Sequence, residues 1–312
     1  MSVIRLSKTE AAVLEKLAEE RRIFTATELA DAVGVKKSNF SKHLKKLASL
    51  RLASVSRAGR EKKVACEYAA FSSFAQAKTN YAFLKMRDVL QGRTPFVLAF
   101  LHQTAEAGKP FRLKDLGLPA ATAARMLNRL RGLGIVYTVS RGRYAVNARA
   151  LPLAAYCMAF VQRTCMAEAD GELQGLQAAI VSMKDADGVE AVFTTAQQNS
   201  ARHYWPTAFS VFSEYGVKLV MAGRHYYSNV KPKLADAIVH ALALGRDART
   251  IAYVAAVMDK NKFNHGKLIK DAPRFGLTNE FLQQLATFVE AKGRTTFEGF
   301  PSWEEVEGVK NG

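Results

Sequence analysis

From Thr9 to Glu20 apolar residues recur at helical spacing, with Ala12, Leu14 and Leu17 on one side, and predict an amphipathic helix. Thr25-Ala-Thr-Glu28 then has the form of a capping box opening a short helix, Glu28 to Val33, which Gly34 ends in a tight turn. A second helix is predicted from Lys37 to Leu50, its apolar stripe made of Phe40, Leu44 and Leu47. Alternation over Leu52–Arg57 and Lys62–Tyr68, around the turn Ala58-Gly59-Arg60-Glu61, predicts a two-stranded hairpin. These are the parts of a winged helix-turn-helix.

The same order returns about 83 residues later. Thr94–Ala107 is the first helix, Leu113–Leu116 the short one, Gly117-Leu-Pro119 the turn and Ala120–Leu133 the long helix. Ile135–Ser140, Arg141-Gly-Arg143 and Tyr144–Val146 form the hairpin. Gly34, Leu44, Leu47 and Leu50 match Gly117, Leu127, Leu130 and Leu133 at one offset, and Val55-Ser-Arg57 matches Val139-Ser-Arg141 after a one-residue shift. We read a tandem duplication. The expected fold class is mainly α with small β wings: one module over 1–75, a linker over 76–93 built on a helix from Ser72 to Gln91, and a second module over 94–150. A helical connector follows over 151–188, with helices Leu151–Val161 and Glu172–Met183, and Asp185–Gly188 marks a boundary. Residues 189–312 read as an α/β start followed by helices. Strands are expected at Val189–Thr194 and Val217–Met221. Helices are expected at Lys233–Leu244, Thr250–Lys260, Gly266–Arg274 and Asn279–Lys292, with a last Ser-capped one after Phe300-Pro-Ser302.

Charge changes this picture from a fold into a function class. Residues 1–150 hold 28 Lys and Arg against 11 Asp and Glu, an excess of 17, which is the whole net charge of +17; the 17 basic and 17 acidic residues beyond cancel. A folded basic half joined to a neutral half implies a polyanion as partner of the first and a protein, or a second copy, as partner of the other. On the third helix of each module, the side away from the apolar stripe would meet the major groove of duplex DNA. In the first module that side carries Ser38, Asn39, Lys42, His43 and Lys46; in the second it carries Thr122, Arg125, Asn128 and Arg129. Arg and Asn are common bidentate readers of bases. The hairpins add Arg57, Arg60, Lys62 and Lys63, and Arg141 and Arg143, suited to phosphates or a minor groove.

Signals for other classes are weak. There is no GxxxxGK[ST], GxGxxG or HExxH motif. Cys66, Cys157 and Cys165 form no metal pattern and read as reduced, small core residues. Asp236 and His240 share a helical face but are two groups only, too few for a metal site. His203 and His225 lie near aromatics and read as a mixed core edge or a partner surface. The expectation is a protein that is not an enzyme and holds no cofactor or metal, in the cytoplasm near the nucleoid, with no signal peptide and no membrane segment.

The run from Leu116 to Ala145, closing in Arg141-Gly-Arg-Tyr-Ala145, resembles the DNA-binding part of AbiEi-type antitoxin regulators, which end their winged helix in Arg-Gly-x-Tyr-Ala. Lys231-Pro-Lys-Leu-Ala-Asp236 and Phe263-Asn-His-Gly-Lys-Leu268 resemble that family's C-terminal region, while residues 1–75 resemble MarR- and ArsR-type winged helices. The resemblance implies a DNA-binding regulator whose C-terminal domain dimerises or holds a nucleotidyltransferase toxin. The leading expectation is a sequence-specific duplex-DNA-binding transcriptional repressor acting as a dimer. The alternatives are a replication-origin or plasmid-maintenance factor, which the paired modules also resemble, and an antitoxin.

Overall fold

A computed structural model describes residues 5–59, 61–66, 71–106, 109–186, 188–219, 223–263, 266, 268 and 272–311. It is mainly α-helical, with small antiparallel sheets. The chain divides into two compact units. The first comprises residues 1–168 with 183–189, and the second comprises 169–182 with 190–312.

The first unit opens with α1 (Lys8–Glu20), capped by Ser7, whose hydroxyl accepts from the Glu10 N–H while the Glu10 carboxylate accepts from the Ser7 N–H. A short strand β1 (Phe24–Thr25) leads into α2 (Ala26–Ala32), which starts at the expected capping box of Thr25 and Glu28. Gly34, at φ +70°, turns the chain into α3 (Lys37–Ser49), with Phe40, Leu44 and Leu47 buried. Strands β2 (Ala53–Ala58) and β3 (Glu61–Cys66) pair antiparallel from Ala53↔Cys66 to Ala58↔Glu61. Sequence alternation did not reveal β1, which adds a third strand through Phe24↔Val64; two residues are too few to show a period.

The expected single linker helix is broken. Helix α4 (Phe71–Asn80) stops because Tyr81 turns inward, 4% exposed, and its hydroxyl donates to the Gly134 carbonyl at 3.2 Å. A one-turn helix, α5 (Met86–Val89), follows. Its cap comes from afar: the Glu15 carboxylate of α1 accepts from the N–H groups of Met86 and Arg87 at 2.9 and 3.0 Å.

The second set begins with α6 (Thr94–Glu106) and a 3-10 turn at Leu113–Leu116. Gly117, at φ +63°, leads to α7 (Ala120–Gly132), which buries Ala123, Leu127 and Leu130. Strands β4 (Val136–Ser140) and β5 (Arg143–Val146) pair with a bulge between Thr138 and Ser140. A bridge between Phe111 and Tyr144 sits where β1 joins β3 in the first set.

Several hydrogen bonds recur between the two sets. The backbone bond Leu52 N–H to Leu47 carbonyl recurs as Ile135 to Leu130, and Arg51 to Ala48 recurs as Gly134 to Arg131. Lys46 donates to the Arg5 carbonyl at 2.9 Å, and Arg129 donates to the Asp88 carbonyl at 2.8 Å. Donors and acceptors are each 83 residues apart.

The paired turns differ in one respect that substitution will expose. A Cβ on Gly34 would meet nothing within 4 Å, whereas one on Gly117 would collide with the Asp185 side chain. Alanine in a left-handed turn costs about 1–2 kcal/mol. We expect that loss for Gly34→Ala, and about 2–5 kcal/mol for Gly117→Ala, where overpacking adds to it. Thermal unfolding of the two variants checks the order.

Helix α8 (Leu151–Ala169) runs eight residues beyond the expected Val161, because Thr164 and Cys165 extend its buried side. It packs Tyr156 against Phe74 and Phe160 against Phe96, with centroids 5.1 and 6.0 Å apart.

In the second unit the expected helix Glu172–Met183 is instead a strand, β6 (Leu176–Met183). Gly175, at φ +69°, interrupts any helix there, and Ile180-Val181 favour the pleat. Strands β7 (Val189–Thr195), β8 (Trp205–Pro206) and β9 (His225–Ser228) complete a sheet ordered β6-β7-β9-β8. The expected strand Val217–Met221 is absent from the described part, Val217–Leu219, and the rest lies outside the described residues. Helices α9 (Leu234–Leu244), α10 (Ala248–Lys260) and α11 (Asn279–Glu290) fall where periodicity placed them. Within Gly266–Arg274, Lys267 and residues 269–271 lie outside the described residues, and the described end, Ala272–Phe275, is a 3-10 turn and not an α-helix. The last helix, α12 (Trp303–Asn311), has the expected Ser302 cap, reciprocated by Glu305. Among the described residues no helix is long and apolar enough to cross a membrane.

Candidate nucleic-acid interface

Helices α3 and α7 each bury one stripe, so the opposite side faces solvent. On α3 this side presents Ser38, Asn39 and Lys42, all exposed, and also Lys45, which the sequence reading passed over. Lys45 lies one residue after Leu44, about 100° round the helix, and belongs to the outward side. His43 and Lys46, expected on this side, turn instead toward α1. Lys46 bonds Glu10 at 2.8 Å and His43 bonds it at 3.1 Å.

Glu10 is 4% exposed and therefore needs those partners. Burial pushes its pKa up, but the bonds from Lys46, the Ser7 N–H and His43 outweigh this and hold it below the usual carboxylate value. A carboxyl with a depressed folded-state pKa contributes stability above its unfolded value, near 4.3, and loses it as pH falls through the folded value. We expect Glu10→Gln to cost about 1–2 kcal/mol at neutral pH. The gap should narrow as pH falls below about 4.3 and close once Glu10 is protonated in the folded state as well. Urea unfolding across pH 3–7 tests this.

On α7, Arg125 and Asn128 are exposed and Thr122 is half-buried. The Arg125 Nε reaches only the Ala121 carbonyl of its own helix, at 3.4 Å. Arg129 is the counterpart of Lys46, with its guanidinium on Asp88. Asn128, Arg131, Gly132 and the strand residues Val136, Tyr137 and Thr138 line an open groove of about 540 Å³ between helix and hairpin. Arg131 and Tyr137 were not among the expected residues. Tyr137 is 53% exposed, as an apolar ring on a solvent-facing strand.

The hairpins project into solvent. Arg57, Lys63, Arg141 and Arg143 are exposed. Lys62 is half-buried, 3.4 Å from the Ser41 hydroxyl, and Arg60 lies outside the described residues. Neither α3 nor α7 has a side-chain cap, unlike α1, α2, α10 and α11. Their first N–H groups therefore carry the partial positive charge of a helix start without a side-chain acceptor.

Residues 151–312 carry no net charge excess, and several of their polar side chains are paired with one another. His203 bonds Glu172 at 2.7 Å, and Asp236 caps its own helix through the Lys233 N–H. His240, 1% exposed, links the Thr207 hydroxyl at 2.7 Å to Glu190 at 3.1 Å, and Arg274 lies 3.4 Å from the same carboxylate. A hydroxyl, imidazole and carboxylate in series have the connectivity of a nucleophile relay. Thr207 is wholly buried, however, so its oxygen meets the protein interior and the chain serves as a satisfied polar link in the core. Among the described residues no cluster of three or more His, Cys, Asp or Glu is placed to hold a metal ion. Burial pushes the Cys165 thiol up to about 12, far from the reactive range. The chain matches no protein-family model, no curated protein and no solved structure.

Proposed function

We propose that the first unit binds duplex DNA through two tandem winged helix-turn-helix modules, and that the protein is a sequence-specific transcriptional repressor. Helices α3 and α7 would lie in major grooves, with the β2–β3 and β4–β5 hairpins as wings against phosphates. The observation that carries this reading is the outward side of the two equivalent helices. Lys42 and Lys45 on one, and Arg125 and Asn128 on the other, are exposed within the half that holds the whole excess of 17 positive charges. The uncapped starts of both helices support it, since backbone N–H groups at a helix start suit phosphate.

The test is fluorescence anisotropy of the full chain on random and selected duplexes, followed by a genome-wide binding map. The combined variant Lys42→Ala, Lys45→Ala, Arg125→Ala is expected to lose most binding with an unchanged unfolding temperature. Equal binding by the variant would overturn the reading. Sites over the protein's own promoter would support repression, and a site confined to a replication origin would replace it.

A further inference from the structure

In the second unit, α10, α12 and the chain at 213–219 surround an open cavity of about 980 Å³. That is the size of a small-molecule site. Leu219, Ala252, Tyr253 and Val309 form an apolar wall, and Lys218 and Arg249 stand beside it. Arg249 is in the first turn of α10, with its guanidinium carbon 5.7 Å from the Tyr253 ring centroid and Nη2 3.4 Å from the Tyr253 hydroxyl. One of its five donors is used in that contact. Glu305, the acid among the described lining residues, accepts from the Ser302 N–H at 2.7 Å and is thereby committed to the cap of α12.

A second observation concerns Gly308, inside α12 and on the cavity wall. An interior helical glycine costs about 0.5–1 kcal/mol relative to alanine. No packing contact accounts for it, because a Cβ there would meet nothing within 4 Å. A side chain on this wall would therefore meet open space at the cavity rather than packed neighbours.

We infer that this cavity binds a small aromatic or apolar carboxylate. The carboxylate sits on Arg249 and Lys218, where a planar guanidinium donates to both of its oxygens. The apolar body lies against Leu219, Tyr253 and Val309. The inference does not depend on what the first unit binds.

The test is isothermal calorimetry on the full chain with 2-naphthoate and its uncharged amide, 2-naphthamide. Naphthoate is expected to saturate one site per chain below about 1 mM, and the amide to bind roughly tenfold or more weakly, as loss of a charge-assisted hydrogen bond implies. The double variant Lys218→Gln, Arg249→Gln should bind the acid and the amide alike. Gly308→Trp should abolish naphthoate binding while its unfolding temperature holds or rises; Gly308→Leu provides the same test with a smaller side chain. No saturable binding by the parent protein, equal affinity for acid and amide, or unchanged binding by a folded Gly308 variant would each overturn the inference.

Discussion

Raising the salt from about 50 to about 200 mM is expected to weaken duplex binding by the full chain roughly 10³-fold. Each phosphate neutralised by a cation releases condensed counterions, so log affinity falls with log salt at a slope of about −0.9 per contact. Lys42, Lys45, Arg57, Lys63, Arg141 and Arg143 are exposed on α3 and the hairpins. Engagement of about six of them gives the stated loss. Lys46 and Arg129 are excluded from that count, because each is bonded to a backbone carbonyl within the protein. Lys46→Ala and Arg129→Ala should therefore leave the slope nearly unchanged, whereas Arg141→Ala and Arg143→Ala should each flatten it by about one unit. Anisotropy titrations at four salt concentrations measure all five slopes, and a slope near zero for the parent protein would remove duplex DNA as its main partner.

Replacing Arg125 or Asn128 with Ala is expected to cost roughly 1–3 kcal/mol on a selected duplex, up to about 150-fold in affinity, and little on random DNA. The two side chains are exposed on α7 three residues apart, so they project from one side of the helix. Asn128 also lines the groove between helix and hairpin. Base contacts specify and phosphate contacts position, so replacing Arg141 or Arg143 should weaken both kinds of DNA by a similar factor. If α3 alone reads sequence, the Arg125 and Asn128 variants would keep full affinity for the selected duplex. Competition between cognate and scrambled duplexes decides between these outcomes.

Local signals carried the sequence reading furthest. The Thr25 and Glu28 box, the Gly34 and Gly117 turns and the leucine stripes of α3 and α7 are written in neighbouring residues, and the structure has them in place. What the sequence hid depends on distant partners. The break after α4 follows from Tyr81 reaching Gly134, and the restart at α5 from Glu15, 71 residues upstream of Met86, capping a helix that has no cap of its own. The inward turn of His43 and Lys46 follows from the buried Glu10. Both side chains suit DNA in composition and spacing, and only a tertiary contact shows that they are already engaged. Strand β6 was misread because a short, mostly apolar stretch such as Leu176–Met183 fits a helix or a strand equally until its sheet neighbour is known.

Helix α5 is held at one end by Glu15 of α1 and at the other by Arg129 of α7, while Tyr81 hydrogen-bonds the turn after α7. The spacing of α3 and α7 is thus settled during folding and is not left to a flexible tether. For any ligand that touches both helices, the second contact is made at an effective concentration fixed by the protein, with little orientational entropy still to be lost. The same rigidity gives the pair a phase: a duplex whose two contact sites are shifted by half a helical turn presents the second site on the wrong side. If the proposed function holds, the one-turn helix between the two sets would then act as a ruler for base pairs that the protein never touches.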